Sequence, residues 1–537
     1  MQENPSETDS GAVAYNPASG QVHATHPWTD ESQVDACFHQ ARAAQLDWAD
    51  LSVRERARRI RPFSQWLEQE ADRLATVIST CNGKTQLDAM TMEVLPAAKA
   101  THHYCRMAPS WLAEHRPTRS SLAFLHKRTR VHRMPHGLVG IIAPWNYPLG
   151  IPVHDIIAAL LAGNGVLFKA APETVPVAEA MAEGIEGLDL PEGLFHHLIL
   201  PGPATGERFL RSEDGVDKLS FTGSVAVGRL LARQAAENLI PLTLELGGKD
   251  PMLVCEDAPM PRTANGALWA GLQNTGQACA GVERIYAHEA VYPDLVASLA
   301  EGMQQLRVGP PDDPDSDLGP MTSLRQRDSV QAQIDEALDQ GAHIAAQAEI
   351  HADADPRGFY LAPTLLTNVS EDMRIMREET FGPVITVSPV ADMDEAIRRA
   401  NALPYALTAS VWTRSRRRGR ALAARVRAGT VMINDHMMAH AMSEVSWGGP
   451  GASGLGRSHG RTGMLSMTWE QNRVDDRLHR TPRALWWYPY DARLQAGLKG
   501  ALSLFHARGL GRRLRGGLRF LGQFPRIFKS PWVSRKR

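Results

Sequence analysis

Cys279 stands in the run Gly276-Gln277-Ala278-Cys279-Ala280-Gly281, and Glu245 precedes it by 34 positions in Glu245-Leu246-Gly247-Gly248-Lys249. The thiolate is the form of cysteine that attacks carbon, and a glycine-flanked turn lets a substrate approach closely. A carboxylate in a similar turn is a candidate base. Taken alone, a single cysteine is more often a small buried hydrophobe, and only its company along the chain changes that weighting.

Four further runs supply the company. Pro144-Trp145-Asn146-Tyr147-Pro148 holds an asparagine between two prolines. Its amide either caps a turn or, rigidly held, stabilises a developing oxyanion. Lys169 closes the apolar run Val166-Leu167-Phe168, where a cation either faces water or holds ribose hydroxyls or a phosphate. Phe221-Thr222-Gly223-Ser224, with Gly228 following, lets backbone amides approach a pyrophosphate at a helix start, although the same spacing serves close packing. Glu378-Glu379-Thr380-Phe381-Gly382-Pro383 pairs a carboxylate with an aromatic ring, suited to a ribose diol and a ring face, and otherwise reads as a solvated helix end.

Alternating elements are needed to position these runs. Apolar residues at three- and four-residue spacing from Glu31 to Ala113 predict amphipathic helices, and Leu122 to His132 predicts an extended edge ribbon. Strands are predicted at Leu138–Ala143, Val166–Lys169, Leu194–Leu200 and Asp217–Phe221, with helices at Asp155–Ala162, Thr174–Gly187 and Ser224–Ala236. Repeated β-α units of this kind predict a doubly wound, mostly parallel sheet whose ligands gather at the carboxyl ends of its strands. After Pro251 a second α/β region follows, with helices at Arg262–Leu272 and Tyr292–Gln305 and strands at Val384–Val390 and Thr430–Ile433.

A chain of 537 residues is too long for one core and predicts two or three domains. Its five cysteines form no short-spaced pairs, which predicts free thiols in a reducing compartment and no metal cluster. Met1 to Ser10 is polar and acidic, unlike a secretory signal, and the longest apolar run, Ile156 to Phe168, is too short to span a bilayer. Net charge is −1 overall, yet residues 493–537 carry 12 Lys and Arg and no Asp or Glu, leaving −13 on the rest. That asymmetry sets the tail apart from the body.

Taken together, in order and spacing, these runs resemble the aldehyde dehydrogenase superfamily from about Val13 to Val474. The resemblance implies an α/β fold: a doubly wound Rossmann-like cofactor domain (1–118 and 138–248), a second α/β catalytic domain (249–461), a small β oligomerisation ribbon (119–137 and 462–476) and a basic C-terminal extension (477–537). It makes Cys279 the nucleophile, Glu245 the general base and Asn146 the oxyanion-holding amide. Around NAD or NADP it places Trp145, Lys169 on the adenine ribose, Gly202, Phe221, Gly223, Ser224 and Gly228, with Glu379 and Phe381 at the nicotinamide ribose and ring. Many members carry a glutamate three residues after the strand-end lysine that favours NAD; Pro172 stands there, so the choice between NAD and NADP is open. Trp447-Gly448-Gly449 and Ser453-Gly454-Leu455-Gly456 match the family's late glycine-rich run. The following Ser458-His459-Gly460 looks like the branch handling medium- and long-chain or aromatic aldehydes. Met437, Met438 and Met442 either pack in the core or line an acyl tunnel.

The implied reaction is oxidation of an apolar aldehyde to its acid through a cysteine thioester. Alternatives are a CoA-acylating relative, against which Glu245 argues, and an inactive scaffold acting through its tail. The resemblance also implies a homodimer or tetramer. In the tail, Trp486, Trp487, Tyr488 and Tyr490 precede leucines from Leu494 to Leu521 on one helical face, with Arg512, Arg513, Arg515 and Arg519 largely on the other. A basic amphipathic helix with interfacial aromatics predicts a cytoplasmic protein peripheral to the inner face of an anionic membrane, with no nucleic acid; a disordered tail or one packed on a sister subunit are the plainer readings.

Overall fold

The computed structural model describes residues 6–118 and 124–530. They form two compact units, Met1–Ala113 with Arg133–Trp469, and Glu114–His132 with Glu470–Arg537. The first unit begins with a three-stranded antiparallel sheet, β1 (Glu7–Thr8), β2 (Gly11–Asn16) and β3 (Gln21–Pro27), which the sequence reading did not foresee. Its buried apolar residues are Ala12, Val13 and Ala14, while Val22 on β3 is exposed. Helices then run from Glu31 as expected. The first, Glu31–Asp50, starts in a capping box built by Asp30 and Gln33, and buries Val34, Phe38, Ala41 and Trp48.

The ribbon is β4 (Lys127–Pro135) paired with β18 (Thr468–Asp476). Of the expected ribbon residues, 119–123 lie outside the described residues, and 462–466 are helical. Next in the chain come β5 (Leu138–Ile142), β6 (Gly165–Lys169), β7 (Phe195–His197), β8 (Lys218–Gly223) and β9 (Leu242–Leu246). They form a sheet in the order β17-β9-β8-β5-β6-β7, in which only the short β17 (Gly454–Leu455) is antiparallel. The chain winds outward on both sides of β5, so its direction reverses between β5 and β8, where α/β sheets open a ligand crevice. The loops leaving those two strands carry Trp145-Asn146 and Gly223-Ser224.

A second sheet has the order β12-β13-β14-β11-β10-β15-β16. Its strands are β10 (Asp250–Val254), β11 (Val282–His288), β12 (His343–Gln347), β13 (Thr364–Thr367), β14 (Val384–Val390), β15 (Thr408–Trp412) and β16 (Thr430–Ile433). Only Gly247, Gly248 and Lys249 separate β9 from β10. The carboxyl end of the first sheet therefore meets the amino end of the second, and Cys279, just before β11, falls in that gap. Apolar clusters cover both faces of each sheet, which is why the parallel strands read as continuous hydrophobic runs.

In the second unit, the tail forms two helices, Ala492–His506 and Leu510–Leu521, where one continuous helical face was expected. The break falls at Ala507–Gly509, and the helices return on each other with Gly500 and Gly516 in contact. Leu485, Leu494, Phe520 and Ile527 make a small core there. Among the described residues no helix is long and apolar enough to cross a membrane.

Candidate active site

The turn ahead of Cys279 is built from three consecutive left-handed residues, Asn274 (φ 54), Thr275 (φ 53) and Gly276 (φ 69). Gly276 is obligatory, because a Cβ there would lie 2.1 Å from the Gly382 carbonyl oxygen. The other two hold a costly conformation through side-chain bonds. Asn274 Nδ2 donates to the Asn146 carbonyl (2.9 Å), its backbone N–H donates to Asp88 Oδ2 (3.0 Å), and Thr275 Oγ1 donates to the Gly319 carbonyl (3.0 Å). Gln277 Oε1 accepts from the Thr322 N–H at 2.9 Å. The result presents a half-buried Cys279 to a cavity of about 340 Å³. Enclosure pushes its thiol well up from the ordinary range, and the carboxyl groups of Glu379, Asp250 and Glu245 add to that.

Asn146 enters the same cavity from the β5 loop. One hydrogen of its Nδ2 goes to the Gln277 carbonyl at 2.9 Å, which fixes the amide and leaves the second hydrogen to face a ligand. Beneath it lies a fully buried ion pair absent from the sequence reading: Lys84 Nζ donates to Glu93 Oε1 (2.6 Å) and to the Asn146 carbonyl (2.7 Å). Glu93 Oε2 in turn accepts the N–H groups of Leu149 and Gly150. Lys84→Met strands the Glu93 charge, and we expect the folded state to lose about 3–5 kcal/mol. Chemical denaturation checks this; an unchanged midpoint would show that the pair carries no structural role.

Glu245 sits on β9, 4% exposed. Its Oε1 accepts from the Ser458 N–H at 3.1 Å, while Oε2 is buried without a partner. Burial raises its carboxyl well above the usual range, with Asp155 contributing. Gly448 lies so close that a Cβ would approach both carboxylate oxygens within 2.7 Å, so that position also requires glycine. The late glycine-rich run thus wraps the carboxylate, with Gly454 paired to Glu245 across β17 and β9.

The cavity's other end gathers Trp145, Gly223, Ser224, Glu379 and Phe381. Ser224 caps the helix Val225–Glu237, so free amides and a positive helix end point inward. Glu379 Oε1 accepts from the Gly248 N–H (3.2 Å), and burial pushes its carboxyl up to about 8. Phe381 stands edge-on to Trp145, centroids 5.4 Å apart. A carboxylate for a diol, an aromatic pair for a ring and a helix start for phosphates fit a dinucleotide. Lys169, Gly202, Phe221 and Gly228 do not line this cavity. Phe221 is buried in the core, Gly228 packs on Leu246, and Lys169 and Gly202 lie farther along the first sheet, beyond β5.

Of the opposite wall, Trp447 and His459 stand in runs read from the sequence, whereas His440 and Ile151 were not foreseen. His440, His459, Trp447 and Ile151 line it, with the His459 ring stacked on His154 (centroids 3.7 Å) and Tyr104 Oη bonded to His154 Nδ1 at 2.8 Å. Burial lowers all three imidazoles, His440 to about 4, so they are uncharged at neutral pH. The three methionines expected near a tunnel do not line the cavity: Met437 is buried in the core, and Met438 and Met442 are exposed. Scattered histidines carry no spacing signal, and Ser458-His459 was the one local hint.

The model of the aldehyde dehydrogenase family matches residues 4–472. A 4,4'-diapolycopene aldehyde oxidase of Methylomonas sp is 35% identical over 494 residues, 92% of this chain and 91% of that protein. A Mycolicibacterium smegmatis protein provisionally named succinate-semialdehyde dehydrogenase [NADP(+)] is 37% identical over 461 residues, 86% of this chain and 88% of that one. The NAD+ complex structure of aldehyde dehydrogenase from Bacillus cereus matches with a TM-score of 0.82 at 30% identity, covering 87% of this chain and 93% of the other.

Proposed function

Because the chain belongs to the aldehyde dehydrogenase family and is an NAD(P)-dependent enzyme, we propose that it oxidises an uncharged, apolar aldehyde to its carboxylic acid, with Cys279 as nucleophile, Asn146 as oxyanion donor and Glu245 as base. The observation that carries this reading is the convergence of all three side chains on one cavity. Cys279 Sγ adds to the aldehyde carbon, and the oxygen's new charge is met by the free Asn146 amide hydrogen and the Cys279 N–H. Bound NAD or NADP supplies hydride acceptance at the Glu379 and Phe381 end. The acyl group is then a thioester on Sγ, and Glu245, once ionised, takes a proton from the water that hydrolyses it. A carboxylate placed there favours water over CoA as acyl acceptor.

The wall of His440, His459, Trp447 and Ile151 supports an apolar substrate. Ile151, Trp447 and neutral imidazoles suit an apolar chain or polyene, whereas the cationic lining residues lie toward Phe381: Arg325 is next to Gln326, which donates to the Phe381 carbonyl, and Arg374 pairs with Glu378. Among the residues that line the cavity, none beside His440 and His459 is a cation that would pair with a free carboxylate such as that of succinate semialdehyde. Turnover with both cofactors over aliphatic aldehydes of rising length tests this. We expect kcat/KM for a long aldehyde to exceed that for succinate semialdehyde by about 10–100-fold; the reverse order would overturn the apolar reading and leave the chemistry standing.

The tail fits a lipid interface. Leu502, Leu510, Leu514, Leu518, Leu521 and Phe528 are exposed on a hairpin whose charges are all positive from Arg493 onward. The similarity to the diapolycopene aldehyde oxidase spans 494 residues, more than precede residue 477, so it reaches into this tail. Anionic lipid would contribute about 1 kcal/mol for each nearby cation. Wild-type protein is expected to sediment with phosphatidylglycerol vesicles and not with phosphatidylcholine vesicles, and Leu514→Glu with Leu518→Glu to stay in the supernatant with unchanged turnover of a short aldehyde. Equal binding by both forms would remove the tail from this role.

A further inference from the structure

The reading that Lys169 and Gly202 border the adenosine half of the cofactor gives a role to Glu7, on the strand β1 that sequence analysis missed. Its Oε1 accepts from the Gly202 N–H at 3.4 Å and lies 3.7 Å from where a Gly202 Cβ would be. Gly202 opens the helix Gly202–Phe209 after β7, and Lys169, 6% exposed, ends the neighbouring β6. The charges that bear on the Lys169 ammonium come from Glu7 and Glu173. One cation is therefore matched by two carboxylates, and the local balance is negative.

Glu7 is held there by its surroundings. Trp28 Nε1 donates to the Thr8 carbonyl (2.9 Å), the Val13 N–H donates to the Ser6 carbonyl (2.9 Å), and Thr29 exchanges two bonds with Ile199 at the end of the β7 segment. On the same sheet His26 pairs with Glu179 at 3.0 Å, and β2 packs on the Pro172–Thr174 turn that follows Lys169. The small sheet is thus fastened along the edge of the cofactor sheet, with one carboxylate aimed at the strand ends.

We infer that Glu7 selects the cofactor: its carboxylate accepts hydrogen bonds from the adenosine ribose hydroxyls of NAD and repels the 2′-phosphate of NADP. The physical asymmetry is large, because a hydroxyl donates to a carboxylate whereas a phosphate dianion brings like charge against Glu7 and Glu173. Pro172, which donates no bond and carries no charge, leaves that discrimination to the N-terminal sheet.

Calorimetric titration of the full chain with ADP-ribose and with its 2′-phosphorylated form isolates this end from the chemistry. Wild type is expected to prefer ADP-ribose by about tenfold or more, and Glu7→Gln to cut that preference about tenfold, chiefly by tighter binding of the 2′-phosphate. A Glu7→Gln ratio within about twofold of wild type would reduce Glu7 to a cap on the Gly202–Phe209 helix, as would wild-type preference for the 2′-phosphate. Lys169→Met serves as the control for the reading beneath it: loss of both ligands supports the adenosine site at Lys169, and unchanged binding of both overturns the site and the inference together.

Discussion

Cys279→Ala is expected to lose aldehyde oxidation by on the order of 10⁵-fold while keeping its fold and its affinity for the dinucleotide. The loss is that large because, in the proposed reaction, the thiol makes the only bond from the protein to the reacting carbon, and neither the Asn146 amide nor Glu245 can replace it. Cys279→Ser keeps the shape but not the nucleophilicity, so it is expected to be nearly as inactive. Enclosure beside Glu379, Asp250 and Glu245 holds the thiol protonated near neutrality. Since the thiolate is the attacking form, kcat/KM of the wild type is expected to rise with pH through neutrality into the alkaline range. Steady-state assays with a calorimetric check of cofactor binding measure all three. Retention of more than a few per cent of activity by Cys279→Ala would assign the nucleophile elsewhere.

Glu245→Gln separates the two halves of the reaction. The thioester still forms, so the first turnover releases reduced cofactor at close to the normal rate; water is then unassisted, and the steady state falls by about 10²–10⁴-fold. Rapid mixing is expected to show a burst near one equivalent per active site, and intact-mass measurement an acyl adduct on Cys279. Because burial raises the Glu245 carboxyl, the wild-type hydrolytic step also gains with rising pH as that group loses its proton. A uniform fall with no burst would instead make Glu245 the base for the thiol.

Much of this site was legible because its members occupy short runs that bend sharply at the ends of apolar strands. Cys279, Glu245 and Asn146 each sit where a strand or its approach gives way to a glycine- or proline-bound turn, and the parallel strands announced themselves as uninterrupted hydrophobic stretches. What escaped was assembled by distance. Lys84, in the loop after the helix Ala71–Asn82, and Glu93, on the helical turn Met90–Val94, meet only under Asn146. β1 to β3 are short, polar on one side and built on alanine, so no period-2 signal emerges. Gly454 and Leu455 give no strand signal because two residues cannot show a pattern, yet their pairing with β9 flanks the Glu245 carboxylate. The tail's leucines kept helical spacing through Ala507–Gly509, and periodicity alone does not report a reversal of direction.

The left-handed turn at Asn274 and Thr275 has a thermal consequence. Each such residue stores roughly 1–3 kcal/mol, released if the loop relaxes, and the restraint comes from a few side-chain bonds rather than from the surrounding sheets. With Cys279 in the proposed role, warming is therefore expected to free its aim before it melts the scaffold, which would make the heat tolerance of catalysis a property of one loop, separable from the heat tolerance of the fold.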